Sequence, residues 1–186
     1  MKLYSYLTIF FLASCSIDKG DKYYKEFKKI EYTHFKMKVP SNWNTFKMNG
    51  IDSSIEGIIT DTKDTIIVEI GKNVVKFNEV IIVNSIKERL RLDSIGWSKK
   101  ALDEMKFSSE PKIDELQSIF LNEYYLYDTL DGKKSKFMLP KKIGDGLIGL
   151  YVDDVKEDTR LSIYSKNLDT LQHFALYKAF LSIQFK

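Results

Sequence analysis

The sequence holds a single cysteine in 186 residues, with only three prolines, nine glycines and two histidines. One cysteine excludes an intramolecular disulfide, so the folded part must be held by its core alone. Scarce proline and glycine, set beside 11 tyrosines and 12 phenylalanines, exclude a disordered chain and point to an aromatic-rich interior. His34 and His173 stand far apart and in no metal-type spacing, so no metal and no cofactor is expected. No apolar run approaches the roughly 20 residues that a helix needs to cross the hydrocarbon core of a membrane. Nor does one charge dominate: 29 Lys and Arg are interspersed with 26 Asp and Glu, a solvated surface and not a nucleic-acid footprint. No G-x-S-x-G stretch occurs, which removes the nucleophile elbow of the serine hydrolases.

What is present begins with MKLYSYLTIFFLASCS. Lys2 supplies a positive charge, Leu3 to Ala13 form a short apolar run, and small residues follow, which is the layout of a signal peptide. The lone cysteine, Cys15, comes directly after Leu12-Ala13-Ser14. That stretch resembles the lipobox of bacterial lipoproteins. The resemblance implies a diacylglyceryl thioether on Cys15, cleavage before it and acylation of the new amine. Each buried CH2 of an acyl chain adds about 0.8 kcal/mol, so two or three chains anchor durably where one does not. Residues 1–14 are then a signal peptide, 15–21 a lipidated tether, and 22–186 a single domain large enough to bury a core. Ser16 stands where an aspartate would favour the inner membrane, which points to the outer one.

Along the chain, DKYYKEFKKI reads as a short helix. Phe35, Met37 and Val39 alternate with His34, Lys36 and Lys38, which predicts a strand with one buried face and His34 toward solvent, ended by Pro40. A turn, PSNWN, leads to a strand over Thr45–Met48 and an Asn49-Gly50 turn. SSIEGIIT and TIIVEIG flank Asp61-Thr62-Lys63-Asp64 as a hairpin. From Asn78 to Arg91 the spacing of Ile82, Val83, Ile86 and Leu90 predicts a helix, although VIIV alone fits a strand. Ser98 caps a short helix carrying Ala101, Leu102 and Met105, and Ile113, Leu116 and Phe120 mark another after Pro111. NEYYLYDTL turns at Asp131-Gly132 into KKSKFML. DGLIGLYV and RLSIYS pair across an acidic loop, DDVKEDT. Leu168, Leu171, Ala175 and Ala179 line a closing helix, with His173 off that stripe and one turn from Asp169, a surface pair. The expectation is one α+β domain built on an antiparallel sheet. Its core should hold Phe35, Met37, Val39, Ile58, Ile66, Val68, Leu161, Ile163, Leu171 and Ala175.

Two stretches carry a further resemblance. FKMKVPSNWNTFKMNGIDSSIEGIIT, with its strand ending in Pro40 and then Trp43, resembles the amino-terminal signature of PsbP-like α/β/α domains. It is more closely similar to bacterial lipoproteins that share a "GIDS…G" stretch, here Gly50 to Ser53 and Gly57. The ending, from RLSIYSKNLD to SIQF, is similar to the closing strand, helix and tail of that fold. The middle, Lys72 to Pro111, has no counterpart. The resemblance implies an antiparallel sheet packed between helices, and binding or assembly roles in preference to catalysis.

Three patterns invite chemistry. Gly144, Gly146 and Gly149 match G-x-G-x-x-G, but LYVDDV follows as strand, and no helix start is there to receive a phosphate. Asp153, Asp154, Glu157 and Asp158 lack the alternation and turn glycine of a calcium loop. The tyrosines of NEYYLYDT alternate, Tyr124 and Leu126 on one face and Tyr125 and Tyr127 on the other. A helix over the outer face is the expected cover; left open, Tyr125 and Tyr127 could stack on sugars or anchor a protein. Trp43, in a turn after a strand, either anchors a partner or folds back to plug the end of the core; the resemblance favours the plug, since it implies a Trp that recurs at this place in the fold while the partners differ. Together these point to a lipid-anchored module outside the cytoplasm, binding a protein or envelope component. The alternatives are an envelope hydrolase of glycan or lipid and a glycan-binding module.

Overall fold

A computed structural model describes residues 24–48, 53–77, 81–117 and 122–186. Cys15, the signal and tether stretches, the Asn49-Gly50 turn and Phe120 lie outside the described residues.

The first two strands, β1 (Phe27–Glu31) and β2 (Phe35–Pro40), pair antiparallel with Ile30 opposite Met37. In β2 the expected alternation holds: Phe35, Met37 and Val39 are buried and Lys38 is exposed, with His34 just before the strand half-exposed. Where DKYYKEFKKI is expected as a helix, its described part has no regular structure over residues 24–26 and is strand β1 from Phe27. A short, lysine-rich helix is marginal in water, whereas the open side of β2 offers backbone partners, and Lys28 and Lys29 suit an edge strand. Trp43, in the turn after β2, is fully buried and meets Tyr24 edge-on at 6.2 Å. It plugs the core, and its indole offers no surface to a partner.

β3 (Asn44–Met48), β4 (Ser53–Ile59) and β5 (Thr65–Gly71) follow as a meander. Next comes a separate group of short elements: β6 (Ile82–Val83), α1 (Ile86–Ser94), α2 (Lys99–Glu104), β7 (Lys106–Phe107) and α3 (Pro111–Gln117), with β6 and β7 parallel. The helix expected from Asn78 starts only at Ile86, because Ser85 caps it by accepting the Glu88 N–H, and Ile82 and Val83 take the strand alternative. Its inward residue is Leu92, while Ile86 and Leu90 are exposed. Ser98 does cap α2, and Leu102 and Met105 are buried.

The second half supplies β8 (Glu123–Leu130), β9 (Lys133–Pro140), β10 (Leu147–Lys156), β11 (Thr159–Lys166), α4 (Thr170–Leu181) and β12 (Gln184–Phe185). β8 and β9 turn at Asp131 and Gly132, whose φ angles of 46° and 80° are those of a two-residue hairpin. The acidic stretch expected as a loop is mostly strand: β10 runs to Lys156, and the turn is confined to Glu157 and Asp158. A register shift between Val152 and Lys156 leaves Asp153 and Asp154 both outward while Val152 and Val155 stay buried, as a bulge does.

Seven strands form one antiparallel sheet in the order β3-β4-β5-β11-β10-β9-β8, and β1-β2-β12 form a smaller one. One face of the large sheet presents Ile58, Ile66, Val68, Ile163, Leu150 and Phe137 to β2 and α4 in a single core. The fold is α+β. Of the ten residues expected in the core, Leu171 alone is only half-buried. The inward face of α4 keeps the expected Ala175 and Ala179 but is turned so that it also takes in Gln172, Leu176 and Phe180. That rotation buries His173, which was expected at the surface beside Asp169. Asp169 instead caps the helix, accepting the Leu171 and Gln172 N–H groups at 2.8 and 2.9 Å.

Candidate functional site

The hairpin turn fixes which residues share a face of the sheet's β8 end. Leu130 pairs with Lys133, so Tyr127 lies opposite Lys136, Tyr125 opposite Met138 and Leu126 opposite Phe137. Tyr124 and Leu126 therefore sit on the core face and Tyr125 and Tyr127 on the outer one.

On the outer face, the segment Val74–Phe77 folds over the sheet, with Val74 and Phe77 buried. Phe77 lies above Gly149, where an added Cβ would stand 2.6 Å from its ring, and meets Tyr164 edge-on at 5.9 Å. Glu69, almost fully buried, holds this segment by accepting the Val75 N–H at 2.7 Å and the Tyr164 hydroxyl at 3.0 Å. Lys136 donates to the Phe77 carbonyl at 2.8 Å. Its ammonium also lies 4.5 Å from the Tyr125 ring centre and 5.6 Å from that of Tyr127, within cation–π range of both. The helix expected over these tyrosines is thus replaced, among the described residues, by a loop and a lysine. Tyr125 is half-buried and Tyr127 is 69% exposed.

Beyond Lys136 the outer face opens into a groove of about 410 Å³ lined by Tyr127, Thr129, Lys134, Lys136, Tyr151 and Asp153. Asp153 accepts the Tyr151 hydroxyl at 2.7 Å and the Arg160 Nε–H at 2.8 Å through one oxygen. These two donors hold its carboxyl below the usual range. Burial, then the Asp153 hydrogen bond, pushes the Tyr151 phenol up to about 12. Burial and Glu69 do the same to Tyr164. At neutral pH the groove therefore offers the neutral Tyr151 phenol and the ionised Asp153 carboxylate.

The core face of β8 differs. Helix α4 reaches as far as Phe137, where Tyr177 and Phe180 pack at 6.1 and 6.4 Å. Beyond it Tyr124 and Leu126 are 53% and 46% exposed, with Lys141 set 5.6 Å over the Tyr124 ring.

A second polar cluster joins distant parts of the chain. Asp61, in the β4–β5 turn, accepts hydrogen bonds from Tyr24, from Asn42 and from the buried Gln172 of α4. Partial burial pushes its carboxyl up, but the Gln172 and Tyr24 hydrogen bonds outweigh this and hold it down. Like Asp153, it shifts the wrong way for a general acid.

The chain matches no protein-family model. No curated protein matches it significantly. What the site can do must be read from its own residues. Gly149 lies inside β10 with strand on both sides, so the glycine pattern builds no phosphate cradle. Of the residues singled out from sequence, Tyr125 and Tyr127 come together, Trp43 lies in the core, and Cys15 is outside the described residues. Sequence reasoning passed over Lys136, Phe77, Glu69 and Arg160. Lys136 was within reach: a two-residue Asp-Gly hairpin sets the register that places it beside Tyr127. The other three come from strands and a loop that no local pattern connects.

Proposed function

We propose that this protein is a lipid-anchored binding or assembly module working outside the cytoplasm, in the cell envelope and at the outer membrane. Its acyl anchor is Cys15, behind a signal peptide of residues 1–14. The observation that carries the reading is the placement of the chain's one cysteine after Leu12-Ala13-Ser14, at the end of a charged and then apolar opening. The domain behind it is PsbP-like. Supporting that are a strand ending in Pro40, a plugging Trp43, and a closing strand, helix and tail in the expected order. Its partner is a protein or envelope component. The site favoured for it is the β8 edge, where Tyr124 and Leu126 form an apolar shelf that α4 does not cover.

Labelling of cells with an alkyne fatty acid tests the anchor: the wild type takes up label and Cys15→Ser does not, and equal labelling of both refutes it. Co-purification from detergent-solubilised membranes tests the shelf, with Leu126→Asp expected to lose the partner and keep the fold.

Glycan binding is a second reading, favoured by the groove between Tyr127, Lys134, Tyr151 and Asp153. Against it, Lys136 already faces the Tyr125 and Tyr127 rings, the surfaces on which a sugar would stack. An envelope hydrolase acting on glycan or lipid is supported least, since Asp61 and Asp153 are both held ionised.

A further inference from the structure

The segment 81–117 exposes apolar side chains out of proportion to its size. Its buried cluster is Val83, Leu92, Leu102 and Met105, yet Ile86 is 67%, Leu90 58%, Ile95 62% and Trp97 38% exposed. Ile86 and Leu90 stand four residues apart on α1 and share one side of it. Ile95-Gly96-Trp97 is the turn that follows: Gly96 has φ +90°, and an added Cβ there would meet nothing within 4 Å. The tip is therefore open to its surroundings.

The charges beside these residues have a sign. Arg89 is held by Asp103 at 2.9 Å. Lys87 and Arg91 stand four residues apart on α1 next to the Ile86 and Leu90 stripe, Lys99 follows the tip by two residues, and none of the three makes an ion pair among the described residues; the acids of this stretch are Asp93 and Glu88, and Glu88 accepts the Asn84 N–H. An apolar loop carrying an interfacial tryptophan and flanked by unpaired cations fits one kind of surface, a bilayer with anionic headgroups. A protein partner of the same shape would need a matching acidic rim, and a second copy would set like charges against each other.

We propose that the Ile95-Gly96-Trp97 tip, with the Ile86 and Leu90 stripe of α1, docks on the anionic headgroup region of the membrane. Trp97 and Ile95 enter the interface, and Lys87, Arg91 and Lys99 meet lipid phosphates. Resting on the reading that Cys15 anchors the chain to a bilayer, this gives the domain a second contact and fixes its orientation. The two contacts act together: tethering raises the local concentration of lipid around a loop whose own affinity is modest.

The two tryptophans make the test direct, because Trp43 is fully buried and Trp97 is not. The full chain is reconstituted into vesicles of phosphatidylcholine, with or without about a third phosphatidylglycerol, carrying bromine on the acyl chains. In the anionic vesicles tryptophan emission should shift to the blue and be quenched. Trp97→Phe should abolish the quenching and leave the Trp43 signal unchanged. Arg91→Glu with Lys99→Glu should weaken the quenching more than about tenfold without moving the denaturant midpoint, since both residues are exposed. Absence of quenching in the wild type, persistence of quenching in Trp97→Phe, or equal quenching in wholly zwitterionic vesicles each overturns the proposal. A blue shift that depends on protein concentration without vesicles would overturn it in favour of self-association. Fatty-acid labelling separates the two readings. An unlabelled chain with quenched Trp97 fails the anchor alone, and a labelled chain with unquenched Trp97 fails the tip alone.

Discussion

The large sheet with α4 and the segment 81–117 draw on the same kinds of residue and use them differently. The inward Ile, Leu and Val residues of the large sheet share one continuous core with Trp43, with Phe35 of β2 and with Phe180 of α4. The segment holds a core of Val83, Leu92, Leu102 and Met105, with Ile81 against it. Every hydrogen bond described for residues 81–117 closes within them, as in Arg89 to Leu102 and Lys106 to Ile81. The difference lies in what surrounds each apolar residue. A strand in the middle of a seven-stranded sheet meets neighbours on two sides and a layer above. A nine-residue helix with one small partner can bury a single stripe, and the rest of its apolar surface stays in water. Burial stabilises at about 25 cal/mol per Å² of apolar area, so the sheet is expected to set global stability and the segment to open on its own.

The comparison is sharpest at the two tryptophans. Trp43→Ala should cost about 3 to 5 kcal/mol, read as a large fall in the denaturant midpoint. Trp97→Ala, at a surface tip, should stay within about 0.5 kcal/mol. Equal losses would mean that the tip is tied to the sheet after all.

Next in size is Leu102→Ala, which should destabilise the small core by about 2 kcal/mol. Hydrogen exchange should then accelerate across 81–117 while the amides of β5, β10 and β11 keep their protection. Uniform acceleration through the sheet would end the idea of two separately opening units.

The helix caps test the same point with a smaller change. Asp169→Ala removes the acceptor of two N–H groups at the start of α4 and should lower the global midpoint by about 1 kcal/mol. Ser85→Ala removes the equivalent group from α1 and should change local exchange without moving that midpoint.

The smallest expected effect is a pH slope. His173 is buried in α4, its Nδ1 has no hydrogen-bond partner among the described residues, and burial lowers its pKa below the ordinary value. The unfolded chain takes up a proton as the pH falls through about 6.5, and the folded chain resists. Stability is therefore complete above that pH and declines below it. Denaturant midpoints between about pH 7.5 and 5.5 should fall for the wild type and less for His173→Gln. Parallel slopes would place the titrating group elsewhere.

Much of the large sheet was legible because its strands carry a period of two and its turns carry Asp-Gly or Asp-Thr-Lys-Asp. In the smaller sheet, Phe35, Met37 and Val39 of β2 are buried as their alternation predicts. β1 is not legible as a strand because its apolar alternation is weak, and only pairing with β2 makes it one. The start of α1 is not legible because Ile82, Val83, Ile86 and Leu90 satisfy a helical stripe that the Ser85 cap interrupts. At the candidate site the tyrosine faces are legible from alternation, whereas Lys136 meets their rings only through the β8–β9 register.

By itself the sequence determined the α+β class, the hairpins, the cap of α2 and the inward faces of the central strands, because period and turn chemistry are local. Only the tertiary structure decided that α4 rotates to bury His173 and leave Leu171 half-exposed, that Val74–Phe77 closes over the outer face on Glu69 and Lys136, and that Ile86, Leu90 and Ile95 face water. Each of these depends on which apolar surface is within reach of which other. That is a property of the assembled layers, and no window of neighbouring residues contains it.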